Sequence, residues 1–139
     1  MKVVVDTNVM LGAVLGAGAA NAVIAACLKG QCIPLMGNAL FSEYEDVFAR
    51  NALFGSSRLT REEREELLDI FFACCEWTRV YYLWRPNLRD EADNHLVELA
   101  VAGGAEFIVT RNLRDLGHGA ELRFSGLKIV SPDAFLKEI

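Results

Sequence analysis

The chain has 139 residues, which predicts one domain over residues 1–139, since two ordinary domains would not fit in that length. Hydrophobic residues make up 53% of the sequence and charged residues 24%, so the chain can bury a core and is not expected to be disordered. The 14 basic and 19 acidic residues give a formal net charge of −5, which argues against a broad basic surface for DNA or RNA. This charge still allows a small basic patch, or a metal ion that offsets clustered carboxylates.

Five short apolar runs predict β-strands. The first, residues 2–5, is apolar on both faces, which is typical of a strand buried inside a parallel sheet. Pro34 indicates that the second strand lies at a sheet edge, or that the proline is near a strand end. Because strands alternate with helices, we predict an α/β fold, a three-layer sandwich with a central, mostly parallel sheet. The predicted strands are residues 2–5, 33–36, 80–83, 107–110 and 127–130.

Five segments have the apolar spacing and the end signals of helices. Asn38 is a candidate N-cap for the second segment, and Thr60 and Glu63 form a capping box at the start of the third. Pro132 suits the first position of a short terminal helix. The other predicted helices are residues 17–29, 38–50, 60–74 and 91–102, with loops at residues 55–58 and 85–89.

The N-terminal segment and the cysteines bear on where the protein works. Residues 1–6 lack the features of a signal peptide, and the apolar stretch at residues 8–28 is too rich in Ala and Gly to favour a membrane span. We therefore expect a cytoplasmic protein that does not bind membranes. The cysteines lack metal-ligand spacing, so reduced and mostly buried thiols are expected rather than zinc. They are Cys27, Cys32, Cys74 and Cys75.

Four acidic residues occupy positions where a site is expected. Ligands of parallel α/β proteins bind beyond the C-terminal ends of the strands. Asp6 directly follows the first strand, and Asp115 follows the strand at residues 107–110 after a short loop. Glu43 falls inside the apolar stripe of its predicted helix, and Asp93 begins such a stripe, so both are expected to point inward. The stripe that follows Asp93 consists of Leu96, Val97, Ala100 and Val101.

Each of these acids also has an ordinary structural interpretation. Asp6 could belong to a strand-to-helix turn, Asp115 could be a loop acid, and Glu43 could reach water from the edge of its stripe. Asp93 could complement the helix dipole. If all four converge, however, their charges repel and stay ionised only with a compensating cation. Oxygen ligands select Mg²⁺ or Mn²⁺ over zinc.

Other catalytic arrangements find less support. The sequence has no Ser/His/Asp or Cys/His set and no glycine-rich phosphate loop, and neither His95 nor His118 is expected to be a catalytic base. A phosphotransfer domain would also place an acceptor aspartate at a strand end. The dehalogenase type of such a domain needs Asp-x-Asp, where this chain has Asp6-Thr7-Asn8.

Four segments of the chain, in order and spacing, resemble the motifs of the PIN-domain ribonucleases. The likeness covers nearly the whole chain and is greatest to the VapC-like toxins of bacterial toxin–antitoxin operons. It implies a metal site for Mg²⁺ or Mn²⁺, endonucleolytic cleavage of single-stranded RNA, an antitoxin partner and a homodimer. The segments are Val3-Val4-Val5-Asp6-Thr7-Asn8-Val9, Leu40-Phe41-Ser42-Glu43-Tyr44, Asp90-Glu91-Ala92-Asp93-Asn94-His95-Leu96 and Ile108-Val109-Thr110-Arg111-Asn112-Leu113-Arg114-Asp115-Leu116.

The resemblance also implies which residues form the site. Asp6, Glu43 and Asp93 match the first three metal-binding acids of the family. Many relatives have aspartate at the position of Asn112, and Asp115 matches the acid of a Thr-Arg-Asn-x-x-Asp form, so either residue could complete the site.

Further residues near the acids are candidates for supporting roles. Thr7, Asn8 and Thr110 could orient water or substrate, or could be turn and cap residues. Asp90 matches an acid that is present in this subgroup and could be an outer-shell partner. Trp84 could stack a base, with core or interface packing as the alternative. Four arginines beside the acids could bind phosphate or could be solvated loop residues: Arg85, Arg89, Arg111 and Arg114.

The sequence therefore predicts a metal-dependent endoribonuclease that is the toxin of a toxin–antitoxin pair. The alternative is a PIN-fold interaction module with weak or no catalysis, which the net charge and Asn112 keep open. The amphipathic segment at residues 60–74 could meet an antitoxin or a second subunit, or could cover the protein's own sheet.

Overall fold

The computed structural model describes residues 1–80, 94–113 and 126–139. Its strands are β1 (Lys2–Val5), β2 (Ile33–Met36), β3 (Glu76–Trp77), β4 (Phe107–Val109) and β5 (Lys128–Val130). Its helices are α1 (Thr7–Val14), α2 (Gly18–Leu28), α3 (Asn38–Phe48), α4 (Arg61–Cys74), α5 (Asn94–Gly103) and α6 (Pro132–Leu136), with a short 3-10 helix at Asn51–Phe54.

Within the described ranges, the five strands lie in one parallel sheet in the order β3-β2-β1-β4-β5. β1 is central, and its Val3, Val4 and Val5 are all buried. Successive side chains of a strand point to opposite faces, so both faces of the sheet are covered. This arrangement confirms the predicted α/β sandwich with a parallel sheet.

Pro34 lies inside the sheet rather than at its edge. The Ile33 amide donates to Met1 O on the β1 side, so the nitrogen of Pro34 faces the other side. There β3 begins only opposite Leu35. The missing N–H of Pro34 therefore removes no ladder hydrogen bond, which agrees with its expected place near a strand end.

The third strand of the described residues precedes the segment predicted for it. β3 is Glu76–Trp77, which pairs with Leu35 and Met36, and Val80 lies outside any strand. The sequence favoured residues 80–83 because their aromatic and β-branched side chains have higher β-propensity than the exposed pair Glu76–Trp77. Residues 81–83 and the loop predicted at 85–89 lie outside the described residues.

The sequence predicted α2 to within one residue at each end but gave no sign of α1. α1 is rich in Ala, Gly and other apolar residues, so it lacks the polar face that marks an amphipathic helix. A turn at Gly16, with φ of 96°, separates the two helices. Among the described residues no single helix is long and apolar enough to cross a membrane, and the apolar pair α1–α2 is bent by 109°.

Asn38 is not the cap of α3. Gly37 is the N-cap residue, and Asn38 is the first residue of the helix. A Cβ at position 37 would lie 3.2 Å from Leu99 Cδ1 and 3.3 Å from Thr78 O. Because α5 and the chain that leaves β3 approach so closely, glycine is favoured at position 37 over a residue whose side chain could cap the helix.

The capping box of α4 is confirmed. The Thr60 hydroxyl accepts from the Glu63 amide at 3.2 Å, and the Glu63 carboxylate accepts from the Thr60 amide at 2.9 Å. Arg64 of this helix is buried, with its guanidinium 4.3 Å from the Phe54 ring centroid. The terminal helix α6 is also confirmed, with Pro132 at its start.

The apolar stripe of α5 is shorter than predicted. Leu96, Val97 and Ala100 are buried, but Val101 is exposed, and Leu99 is buried in its place. The helix ends at Gly103 as expected. Residues 91–93 of the predicted helix lie outside the described residues.

All four cysteines are free thiols. Cys27 and Cys32 are buried with their sulfurs 3.5 Å apart, whereas Cys74 and Cys75 are partly buried. Within the described residues, no group of three or more His, Cys, Asp and Glu side chains is arranged to hold a metal.

Candidate functional site

Asp6 and Thr110 lie side by side at the C-terminal edge of the sheet. Val5 pairs with Val109, so the residues that follow β1 and β4 also face each other. The Asp6 amide donates to Val109 O and the Thr110 amide donates to Val130 O, both at 3.0 Å, which continues the strand ladders past their ends. The Thr110 hydroxyl then donates to Asp6 Oδ2 at 2.8 Å. Backbone pairing thus fixes the position of Asp6.

α3 brings a second carboxylate, that of Glu43, to the same edge. Thr7, the first residue of α1, lies between the two acids. Its hydroxyl oxygen is 2.5 Å from Glu43 Oε1 and 3.3 Å from Asp6 Oδ1. A hydroxyl has one proton to donate, so the shorter contact to Glu43 takes it. Asp6 and Glu43, far apart in the sequence, are therefore joined through one side chain.

α5 contributes a histidine that the sequence did not single out. His95 Nε2 lies 2.7 Å from Glu43 Oε2, so each oxygen of Glu43 has a partner. The only available signal was that His95 and Glu98 are titratable residues in a largely apolar helix. Nothing in a single sequence indicates that α5 packs beside α3 at this point.

A second set of contacts ties the segment after β4 to α1. Asn8 Nδ2 donates to the Thr110 hydroxyl at 3.3 Å, and Asn8 Oδ1 accepts from the Arg111 amide at 3.1 Å. The Asn112 amide donates to the Thr110 hydroxyl at 3.0 Å. Thr110 thus makes one donated and two accepted hydrogen bonds, the full capacity of a hydroxyl.

The side chain of Arg111 lies against α1 where that helix has a glycine. A Cβ built on Gly12 would be 2.5 Å from Arg111 Nη1. Gly12 is about 7.5 Å along the helix from Thr7, at 1.5 Å per residue. This glycine leaves room for the Arg111 guanidinium to lie against α1.

The two acids have pKa values that shift in opposite directions. Burial raises the pKa of Asp6, the Thr110 hydrogen bond opposes this, and the charge of Glu43 raises it further. The hydrogen bond from His95 lowers the pKa of Glu43 against the effect of burial. The buried Asp6 charge is therefore the less compensated of the two, and a nearby cation would stabilise it.

A cavity of about 730 Å³ adjoins the site. It is bounded by the start of α3, by the chain that leaves β3, and by one side of α5. His95 lines this cavity and also contacts Glu43, so it borders both the acid pair and a space of ligand size.

The described residues contain part of the predicted site. Asp6 and Glu43 are brought together, and their oxygens are the ligand type that Mg²⁺ and Mn²⁺ prefer. Thr7, Asn8, Thr110 and the Asn112 backbone surround them through direct hydrogen bonds. The remaining predicted site residues lie outside the described residues: Asp90, Asp93, Asp115, Arg85, Arg89 and Arg114. Trp84 and His118 lie there as well.

Comparison with known proteins places this fold in a family. A solved structure of VapBC2 from Rickettsia felis, bound to a DNA fragment from their promoter, superposes with a TM-score of 0.56 at 16% identity. The match covers 94% of this chain and 98% of that chain, and at this identity it shows a shared fold. A search of curated proteins finds no match. The model of the PIN domain family matches residues 2–114, and the chain belongs to that family.

Proposed function

We propose that this protein is an endoribonuclease that cleaves single-stranded RNA and depends on Mg²⁺ or Mn²⁺. Asp6, Glu43, Asp93 and Asp115 would hold the cation. The observation that supports this most is the pair Asp6–Glu43, joined through Thr7 at the C-terminal edge of the sheet of a PIN domain. Parallel α/β proteins bind their ligands at this edge.

The chemistry follows from the donor set and from what surrounds it. A divalent cation bound there would supply Lewis acidity, which activates water and stabilises charge at the scissile phosphate. Thr110 holds the carboxylate of Asp6 in one orientation by donating a hydrogen bond to Oδ2. This preorganisation spares the site from reorienting a buried acid when substrate binds.

RNA must approach an acidic site on a protein of net charge −5, so nearby positive groups are needed. Arg111 is the described candidate, since its guanidinium lies along α1 and its residue is exposed. We propose that it binds a backbone phosphate of the substrate. Arg85, Arg89 and Arg114 remain predictions for the same role.

We further propose that the protein works as the toxin of a toxin–antitoxin pair in the cytoplasm and forms a homodimer. The fold match to VapBC2 and the resemblance of the four sequence segments support this. Ile70 on α4 and Trp77 on β3 are exposed apolar side chains that could contribute to a protein interface. Expression of the chain alone should arrest bacterial growth, and Glu43→Gln should relieve that arrest.

The second candidate is an interaction module with weak or no catalysis. Asn112 favours this candidate, because many relatives have an acid at that position. A second reason is that only two carboxylates, those of Asp6 and Glu43, come together within the described residues. The two candidates differ in whether the purified protein cleaves RNA.

Cleavage of an unstructured RNA by purified protein tests the proposal. We expect cleavage that requires Mn²⁺, stops with chelator and is lost in Glu43→Gln. Glu45→Gln is the matched control, because Glu45 is an exposed glutamate two positions away on the same helix. Cleavage that survives chelation, or that Glu43→Gln performs at the wild-type rate, contradicts the proposal and favours the interaction module.

A further inference from the structure

The contact between His95 and Glu43 joins two helices at the candidate site. Nε2 of the imidazole lies 2.7 Å from Glu43 Oε2, and the side chains of His95 and Glu43 are only 16% and 34% exposed. A carboxylate accepts hydrogen bonds and an ionised one cannot donate them, so Nε2 is the donor. The bond is therefore charge-assisted and partly shielded from water.

Among the described residues, Glu43 is the hydrogen-bond partner of the His95 ring. Its second ring nitrogen, Nδ1, is buried and has no hydrogen-bond partner within the described residues. A histidine kept for packing alone would be expected to satisfy that atom as well. The described contacts thus leave Glu43 as the group that orients the ring.

Glu43 needs such a partner more than Asp6 does. Asp6 follows β1 directly and its backbone continues the ladder, whereas Glu43 reaches the site from α3 on a side chain with three rotatable bonds. Thr7 donates to Oε1 and His95 donates to Oε2, so donors from two other helices restrict that rotation. Each oxygen keeps further lone pairs for a cation.

We propose that His95 is a positioning residue that orients Glu43 for binding of the divalent cation. This inference rests on the proposed function, because it assigns Glu43 to the metal. It gives a role to a residue that lies within the third motif segment but to which the resemblance assigned none. Partners of metal ligands typically change metal affinity by about 10- to 100-fold when they are removed.

The test is the affinity for Mn²⁺, measured by calorimetric titration of the purified protein, in three variants of His95. In His95→Gln the amide nitrogen can reach the place of Nε2, so affinity should stay within about threefold of wild type. In His95→Asn the side chain is one methylene shorter, and in His95→Leu the donor is absent, so both should bind about 10- to 100-fold more weakly. Rescue by glutamine but not asparagine would not follow from a packing role.

Two further measurements separate positioning from folding. Melting curves without metal show whether each variant is folded, and Val101→Gln, at an exposed position of α5, controls for substitution on that helix. RNA cleavage at saturating RNA and limiting Mn²⁺ should fall in His95→Asn, with KM for RNA unchanged.

The outcomes distinguish this inference from the proposed function. Equal Mn²⁺ affinity in wild type, His95→Asn and His95→Leu would overturn the positioning role alone. Tighter binding in His95→Leu would also overturn it, since it would show that the imidazole competes with the cation. Absence of Mn²⁺ binding by the wild type would overturn the proposed function, and this inference with it.

Discussion

Asp6 and Glu43 have the same proposed task but are held in place in different ways. Asp6 is 5% exposed, and the pairing of β1 with β4 sets its position through the backbone. Glu43 is half-buried on α3, and hydrogen bonds from Thr7 and His95 set its position through side chains. One acid is therefore kept in place by the sheet at the expense of desolvation, and the other by partners that compensate its charge. The stability of the protein should therefore depend on the burial of the Asp6 charge and on the hydrogen-bond partners of Glu43.

The largest expected effect is on cleavage, where the two acids should behave alike. Asp6→Asn and Glu43→Gln each remove a carboxylate from the proposed metal site with little change of shape. We expect each to lower the rate of RNA cleavage by more than about 100-fold, which exceeds the usual loss when only a partner of a ligand is removed. Single-turnover cleavage with Mn²⁺ measures this. A variant that retains wild-type activity would remove its residue from the site.

The next effect should separate the two acids. Without metal at neutral pH, Asp6→Asn should raise the melting temperature, because it removes a buried charge that burial and Glu43 both disfavour. Glu43→Gln should lower it, because the charge-assisted bond from His95 is lost. Each change should be about 1 kcal/mol, or roughly 3 °C. Shifts of the same sign in thermal melts with chelator would contradict the comparison.

Another effect on stability tests the hydroxyl that fixes Asp6. Thr110 is fully buried and bonds to Asp6, to Asn8 and to the amide of Asn112. Thr110→Val keeps the shape but leaves these partners unsatisfied, so the metal-free protein should lose about 1–3 kcal/mol of stability. Thr110→Ser keeps the hydroxyl and is the control. If urea unfolding shows that Thr110→Val is as stable as Thr110→Ser, packing contributes more to stability than the hydrogen-bond network does.

The smallest effect concerns substrate. Gly12→Ala would place a methyl group 2.5 Å from Arg111 Nη1 and displace the guanidinium. If Arg111 binds phosphate, Gly12→Ala and Arg111→Ala should both raise KM for RNA by about three- to tenfold with little change in kcat. Gly18→Ala is the control, because no atom lies within 4 Å of a Cβ there. Equal KM values for Gly12→Ala, Gly18→Ala and wild type would exclude this role.

The sequence predicted the parts of the fold that have strong local signals. β1 and β4 are apolar β-branched runs, and the capping box of α4 can be identified from Thr60 and Glu63. β3 could not be predicted, because an exposed two-residue strand forms only through its neighbour β2. α1 could not either, since its composition hides the helical period.

The candidate site likewise has residues that the sequence indicated and residues that it did not. Asp6 and Glu43 could be selected because acids at a strand end or on an apolar stripe are unusual, and the structure brings this pair together. Their role as ligands stays a proposal. The contact of His95 with Glu43 and the contact of the Arg111 side chain with α1 at Gly12 depend on which elements pack side by side. A single sequence carries no signal for that packing.

The most direct test of the account is whether Mn²⁺ stabilises the protein through these two acids. At 100 times its dissociation constant, a bound ion adds about 2.7 kcal/mol, which should raise the melting temperature of the wild type by roughly 5–15 °C. We predict the same rise for Glu45→Gln, little or none for Asp6→Asn and Glu43→Gln, and reversal by chelator. No rise in the wild type, or an equal rise in all four proteins, would contradict the central claim that Asp6 and Glu43 form a metal site.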